Sequence, residues 1–342
     1  MKVGMYYRNS DVRVEEQPIP EAGAGDVLIK VMASGICGSD LMEWYRIKKA
    51  PLVLGHELTG QIVQVGPGIE HVTIGQRVFA THHVPCDECI YCLQGHETAC
   101  LTFQEKNNFT PGGFAQYLRV SGRSVRTGLL VLPDELSYET GTFIEPLATV
   151  VRGCRTMGIT PGDSVMIFGA GLAGLLFVKL AKALGAGRVT VADVNEYRLT
   201  VASRAGADFT VNAADDVTAF LQQHTGRLAD KVVISTGALP AAKAALSSVD
   251  RGGTVLFFAV AQPGETIAVD FNPFWRNDIS FKTCYGAAPR DNRQAMELLR
   301  CGAVDVSDMV THRLPIDRIG EAFRIAAEPT GTLKVIIEPK QD

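Results

Sequence analysis

The stretch 164–174, SVMIFGAGLAG, constrains what this chain can fold into more than any other. Five strand-forming residues run directly into Gly169-Ala170-Gly171-Leu172-Ala173-Gly174, and an apolar helical run follows. In that context each glycine has a task. Gly169 permits a tight turn, Gly171 lets backbone approach a pyrophosphate, and Gly174 lets helix and strand pack closely. The helix N-terminus then offers free N–H groups and a positive dipole end to phosphates. Asp193 closes the next predicted strand, 19 residues after Gly174. A carboxylate there accepts hydrogen bonds from the adenosine ribose hydroxyls and repels a 2′-phosphate, so the pattern favours NAD over NADP. Arg198 follows at one helical turn, where it can cover the adenine.

Strand–helix alternation surrounds this motif. Strands are predicted over 164–168, 188–193, 231–235, 254–259 and 279–285. Helices are predicted over 147–157, 172–184, 196–205 and 240–249. This is the pattern of a parallel sheet covered on both faces. The first third reads differently, with short strands over 2–7, 12–16, 27–34, 58–65 and 77–80 and no helices between them. That spacing suggests a barrel or sandwich. The tail carries helices over 292–300 and 319–327 and a strand over 334–338. At 342 residues the chain has room for about two domains.

Composition removes several function classes. Lys and Arg total 33 and Asp and Glu 37, a net charge of −4, which argues against a nucleic-acid binder. The longest apolar run, 165–178, is too short for a membrane span and is interrupted by three Gly. The N-terminus is charged too early for a secretory signal, so a cytoplasmic location is expected.

Eight Cys are too few for a disulfide scaffold of this length. Cys86, Cys89, Cys92 and Cys100 follow x2, x2, x7 spacing in the long loop 81–110. Four thiolates close a tetrahedron and leave no open position, which describes a structural zinc. The x7 step and the missing Pro do not fit a ferredoxin cluster. His96, inside the same lobe, is read as a bystander. A second metal would need about three ligands and an exchangeable position. Cys37 in GICGSD, His56 and Glu57 in GHE, and Glu145 in EPLA are candidates, although spacing alone does not single them out. Cys154, Cys284 and Cys301 read as small buried hydrophobes.

GICGSD, GHE, the four-Cys lobe, EPLA, and GAGLAG with its distal Asp, in this order, resemble the medium-chain zinc-dependent alcohol dehydrogenase superfamily. The resemblance covers essentially the whole chain and is greatest to the polyol branch, which includes sorbitol, galactitol-phosphate and threonine dehydrogenases. It implies an α/β chain with a Rossmann doubly wound parallel sheet and a GroES-like β-barrel catalytic domain. The catalytic domain would span 1–146 and return over 287–342, the NAD-binding domain would span 147–286, and a cleft would separate them. It implies two zinc ions per chain. Cys37, His56 and Glu57 would hold the catalytic one, with Glu145 a direct or water-mediated partner. It also implies a homodimer or homotetramer paired through the last sheet strand, with Trp275 at that interface or in the cleft.

The implied reaction is hydride transfer between NAD and a secondary alcohol, most simply a polyol. A threonine-type amino alcohol and a zinc-free quinone-reductase-like relative are the alternatives. Ser39 matches the family's proton-relay hydroxyl, but Met42 stands where many relatives carry a relay His. Glu43, or water reaching Glu145, is the expected substitute. Asp40 is expected to anchor the ligand turn, and Trp44 and Tyr45 read either as core aromatics or as walls of the pocket.

Overall fold

The structure is a computed structural model and describes residues 1–339 of the 342. Two compact units divide the chain, one made of Met1–Ala148 with the segment from Gly286 onward, the other of Thr149–Tyr285.

The first unit is built on alternation. Along the strand Val27–Gly35, Val27, Ile29 and Val31 point to one face and are buried, before a register shift between Val31 and Ala33 interrupts the alternation. They meet Leu58 and Ile62 of the antiparallel strand Glu57–Val65, with Val78, Leu118 and Val120 closing the cluster. Burying each such aliphatic side chain contributes ~1.5–3 kcal/mol. The sheet runs in the order Val310–Pro315, Lys334–Glu338, Val27–Gly35, Glu57–Val65, Arg77–Ala80, Leu129–Val131. Tyr117–Val120 also pairs with Val27–Gly35 and carries Phe109–Thr110 outside it. A smaller sheet, Asp11–Glu16, Lys2–Arg8 and Leu52–Val53, shares a second core with the helix Ile319–Ala326, where Tyr6 and Phe323 pack with ring centroids 6.1 Å apart.

The second unit is a six-stranded, all-parallel sheet in the order Phe209–Asn212, Arg188–Asp193, Ser164–Phe168, Ala229–Ile234, Val249–Phe257, Ser280–Thr283. The connections reverse direction beside Ser164–Phe168. Ligands of such sheets bind outside the carboxyl ends of the strands at this switch point. Met166, Phe168, Val232, Ile234 and Val255 fill one side of its core.

The second-unit elements unread in the sequence include the short helix Asn272–Arg276, the strand Phe209–Asn212 and, longer than either, the helix Val217–Thr225. The helix is bounded by an Asp216 cap, whose Oδ1 accepts the Ala219 N–H at 3.0 Å, and by Gly226 at φ +76°. The predicted turn at Gly252-Gly253 is instead part of the longer strand Val249–Phe257. The register shifts there, as in a bulge, so the glycines bend the strand without ending it.

Candidate active site

Cys37 sits two residues past the end of the strand Val27–Gly35 and opens the 3-10 turn Gly38–Leu41. Asp40 ties this turn down, with its Oδ2 accepting the Cys37 N–H at 3.0 Å. The Cys37 sulfur accepts the Ser39 N–H at 3.4 Å and the Ser39 hydroxyl at 3.3 Å. Asp40 is fully buried, and its Oδ1 lies 3.6 Å from His56 Nδ1. A carboxylate behind one ring nitrogen is the usual orientation for a histidine that ligates through the other. Sγ of Cys37, a ring nitrogen of His56 and a carboxylate oxygen of Glu57 all lie within 4.8 Å of one another.

Glu57 reaches this cluster through strand pairing. It starts the strand Glu57–Val65 opposite Gly35. Lys334, which opens the strand Lys334–Glu338, forms a fully buried ion pair with Glu57 through Oε2, while Glu57 Oε1 is buried without a partner. The pair passes directly over Gly35. A Cβ there would stand 2.5 Å from Lys334 Cε and 2.6 Å from Glu57 Oε2. Removing one partner of a buried pair strands the other charge and costs ~3–5 kcal/mol. Lys334→Met is therefore expected to lower stability by about that amount, and urea unfolding measures it. A loss below ~1 kcal/mol would show that the pair does not support the site.

The groups bear on each other electrostatically. Burial pushes the Cys37 thiol up, as does Glu57, against the pull of His56. For His56, burial alone would lower the pKa, but Asp40 and Cys37 outweigh it and raise it to about 10. Burial raises Glu145 to about 7, opposed by His56 and reinforced by Glu57. Glu145 is thus close enough to feel the cluster, but it is not one of the converging ligands.

The same register places His82. Leu58 pairs with Ala80 across the antiparallel strands, so His56 and His82, each two residues further out, face each other. Their rings lie 5.1 Å apart. His82 also packs on His83 at 3.8 Å and Phe109 at 5.8 Å. Its carbonyl is pinned by the N–H and Nδ2 of Asn108, yet its Nδ1 is buried without a partner. Burial holds this imidazole well below its usual pKa, helped by His83, His56 and the cations Arg46 and Lys49.

The lobe after this strand brings Cys86, Cys89, Cys92 and Cys100 together, their sulfurs within 4.8 Å of one another. Two of the sulfur separations are 3.5 and 3.9 Å. Tetrahedral zinc with bonds near ~2.3 Å sets its sulfurs about 3.8 Å apart. Asp87, at φ +63°, turns the chain so that the Cys89 N–H reaches Cys86 Sγ at 3.2 Å. Burial would raise Cys100, but the N–H groups of Cys86 and Phe103 outweigh it and bring it down to about 6. The donor set fits a closed zinc site. His96 is not among the converging ligands.

In the second unit, Gly169 takes φ +99°, and a Cβ on Gly174 would lie 1.9 Å from the Gly169 carbonyl oxygen. A Cβ built on Gly171 would meet nothing within 4 Å, so that side of the turn is open to a pyrophosphate. Asp193 ends its strand, with Oδ2 accepting the Ala170 N–H at 2.7 Å and Oδ1 the Asn195 N–H at 2.9 Å. It therefore fixes the glycine turn from behind. Arg198 Nε is buried without a partner on the following helix. These features fit a dinucleotide.

Residues 23–131 match the family model of the alcohol dehydrogenase GroES-like domain, and residues 173–300 match that of the zinc-binding dehydrogenases. A sorbitol dehydrogenase of Bacillus subtilis is 32% identical over 100% of this chain and 98% of its own length. The chain belongs to the medium-chain zinc-dependent alcohol dehydrogenase superfamily, in its polyol-like branch. An L-threonine 3-dehydrogenase of Sinorhizobium medicae is 29% identical, with 91% of this chain and 90% of that protein covered. A solved zinc-binding dehydrogenase of Sinorhizobium meliloti, bound to NADP, superposes with a TM-score of 0.89 at 28% identity over 99% of both chains.

Several details of this alcohol dehydrogenase site were not legible in the sequence. Lys334 was missed, and its only signal is a lysine opening a strand whose next three residues are apolar, KVIIE. Arg46 was also missed. Its Nη2 donates to Ser39 Oγ at 2.8 Å and its Nε to the Ser39 carbonyl at 3.0 Å. Glu43 does not face the ligands, because its carboxylate accepts the Asn9 N–H at 2.8 Å. Trp44 and Tyr45 pack on each other, and Arg46 lies 4.7 Å from the Tyr45 ring centroid. Cys154 and Cys284 are buried as expected, but Cys301 is exposed.

Proposed function

We propose that this protein is a zinc-dependent dehydrogenase that exchanges hydride between NAD and a secondary alcohol, with a polyol or sugar alcohol as its substrate. The observation that carries this is the convergence of a sulfur, an imidazole and a carboxylate oxygen within 4.8 Å. Three mixed ligands with room for a fourth are the donor set of a catalytic zinc. When bound, zinc supplies Lewis acidity that lowers the pKa of a coordinated alcohol.

The chain's own residues do the rest. Cys37 and His56 would hold the ion, and Asp40 orients the imidazole from behind. Glu57 brings a carboxylate oxygen to the cluster, with Oε1 buried without a partner and Oε2 neutralised by Lys334. Ser39 accepts from Arg46 and donates to Cys37, so its hydroxyl is fixed in direction. A guanidinium cannot accept a proton, so no relay continues through Arg46. Met42 cannot carry one either, and Glu43 is turned away. Glu145, the remaining nearby carboxylate, is assigned as the proton acceptor at its carboxylate oxygen.

The glycine turn Gly169–Gly174, with Leu172 and Ala173 opening the helix, takes the pyrophosphate. Asp193 takes the ribose and selects NAD. We assign catalysis to the domain 1–146 with its return 287–342, and cofactor binding to 147–286. The edge strand Ser280–Thr283, with Trp275 83% and Phe271 64% exposed nearby, supports a homodimer or homotetramer paired at this edge, which sedimentation of the full chain reads directly. The free cysteines support a cytoplasmic location, and among the described residues no helix is long and apolar enough to cross a membrane.

The test is a screen of polyols, sugar phosphates and amino alcohols, read by absorbance of the reduced cofactor. Polyol oxidation with NAD is expected, and chelation should abolish it. Activity on threonine alone would replace the substrate class. In the same assay Asp193→Ser is expected to raise KM for NAD by about tenfold or more and to narrow the preference against NADP. An unchanged preference would remove Asp193 from cofactor selection.

A further inference from the structure

His82 is out of character for a structural histidine. Buried polar groups are hydrogen-bonded in nearly all native proteins, and each exception calls for a partner. The His82 carbonyl oxygen accepts two hydrogen bonds from Asn108, and the ring is wedged among His56, His83 and Phe109. The side chain is thus rigidly placed. Nevertheless its Nδ1 is buried with no partner, although the residue as a whole is only half-buried. It stands one ring away from the ligand histidine, by the strand register that pairs 58 with 80. It is not one of the converging metal ligands. A preplaced imidazole that neither ligates nor satisfies the fold is available to a molecule entering the site.

We propose that His82 is a substrate-reading residue, whose ring hydrogen-bonds a second hydroxyl of the substrate and so selects vicinal diols over simple secondary alcohols. This rests on the dehydrogenase reading above and narrows its substrate class. A hydroxyl suits the position because it can donate or accept, and so can meet either ring nitrogen. A site built to hydrogen-bond a substrate hydroxyl discriminates strongly against an analogue that lacks it. A simple alcohol would leave His82 unsatisfied, whereas a diol would complete it.

The experiment uses the zinc-loaded full chain with 2,3-butanediol and 2-butanol. Two quantities are read, kcat/KM with NAD, and the Kd of each alcohol for the NADH-bound protein by calorimetry. The wild type should favour the diol by about thirtyfold in both, equivalent to ~2 kcal/mol. His82→Phe should remove that advantage, chiefly through KM and Kd, and leave 2-butanol within about threefold. His82→Gln should recover part of the diol preference, and it carries the measurement if the Phe variant does not fold. Equal losses on both alcohols, or no loss on either, would overturn the assignment and return His82 to a packing role. A wild type that oxidises both alcohols without preference overturns it as well, while leaving the dehydrogenase reading intact. A wild type that oxidises neither overturns that reading and this inference with it.

Discussion

Cys37→Ala is expected to leave about one zinc per chain where the native protein is expected to hold two, and to cut turnover by at least ~10³-fold. The sulfur is one of three converging donors, and catalytic zinc sites bind through about that many. With two donors left, retention of the ion and the alcohol acidification it supplies are both lost, a barrier increase of ~4 kcal/mol or more. Folding should be little affected, since the fully buried ion pair between Lys334 and Glu57 does not involve Cys37. Elemental analysis and NAD-linked turnover check this together. A variant with full zinc content and near-native activity would disprove the assigned ligand set.

The same site sets a pH dependence. Metal binding requires a deprotonated thiol and a neutral imidazole. In the metal-free site the Cys37 thiol is raised by burial, and His56 reaches about 10 once Asp40 and Cys37 overcome its burial. Protonated His56 therefore stabilises the metal-free fold fully below about 6.5, and that contribution is lost as pH rises through about 10. Zinc uptake near neutrality must release protons, so affinity falls about tenfold for each unit the pH is lowered, per proton released. Proton release is read by calorimetry in buffers of different ionisation enthalpy.

Cys100→Ala carries the second large effect. The lobe that contains it has little core of its own, with Cys86, Cys100 and Phe103 as its buried apolar cluster. Ile90, Leu93 and Leu101 are 58%, 71% and 60% exposed. Such a segment is ordered by its metal, and structural zinc supplies ~10–16 kcal/mol in small zinc-folded peptides. Losing even ~5 kcal/mol of this corresponds to a drop in Tm of roughly 10–20 °C. The variant is expected to lose one zinc, to melt earlier by that margin, and to be cleaved by protease within 86–105. A variant that melts with the native protein and resists cleavage would show that packing, not metal, holds the lobe.

Legibility in the sequence followed the range of the interactions. The glycine turn with Asp193 and the four-cysteine lobe are local, and their spacing carries their geometry. The chemistry-bearing cluster is not local. Cys37 and His56 meet only because the strands Val27–Gly35 and Glu57–Val65 pair, and no spacing rule encodes that register. Lys334 comes from a strand 277 residues away from Glu57 in sequence, so a single chain gives no hint of the partnership. His82 was passed over because a lone histidine beside a strand is uninformative until the pairing of Leu58 with Ala80 sets it opposite His56. The short strand Phe209–Asn212 escaped because four residues cannot establish a period.

The late position of Lys334 has a consequence for biogenesis. Every proposed metal ligand lies within the first 145 residues and leaves the ribosome early. The strand that delivers the counter-charge to Glu57 emerges only after the whole parallel sheet has been made. Until then, folding the early segment would bury a carboxylate without its lysine, which is unfavourable. A nascent chain stalled near residue 320 would possess all its proposed zinc donors but not Lys334, so the charge partner of Glu57 joins the site after every donor is already present.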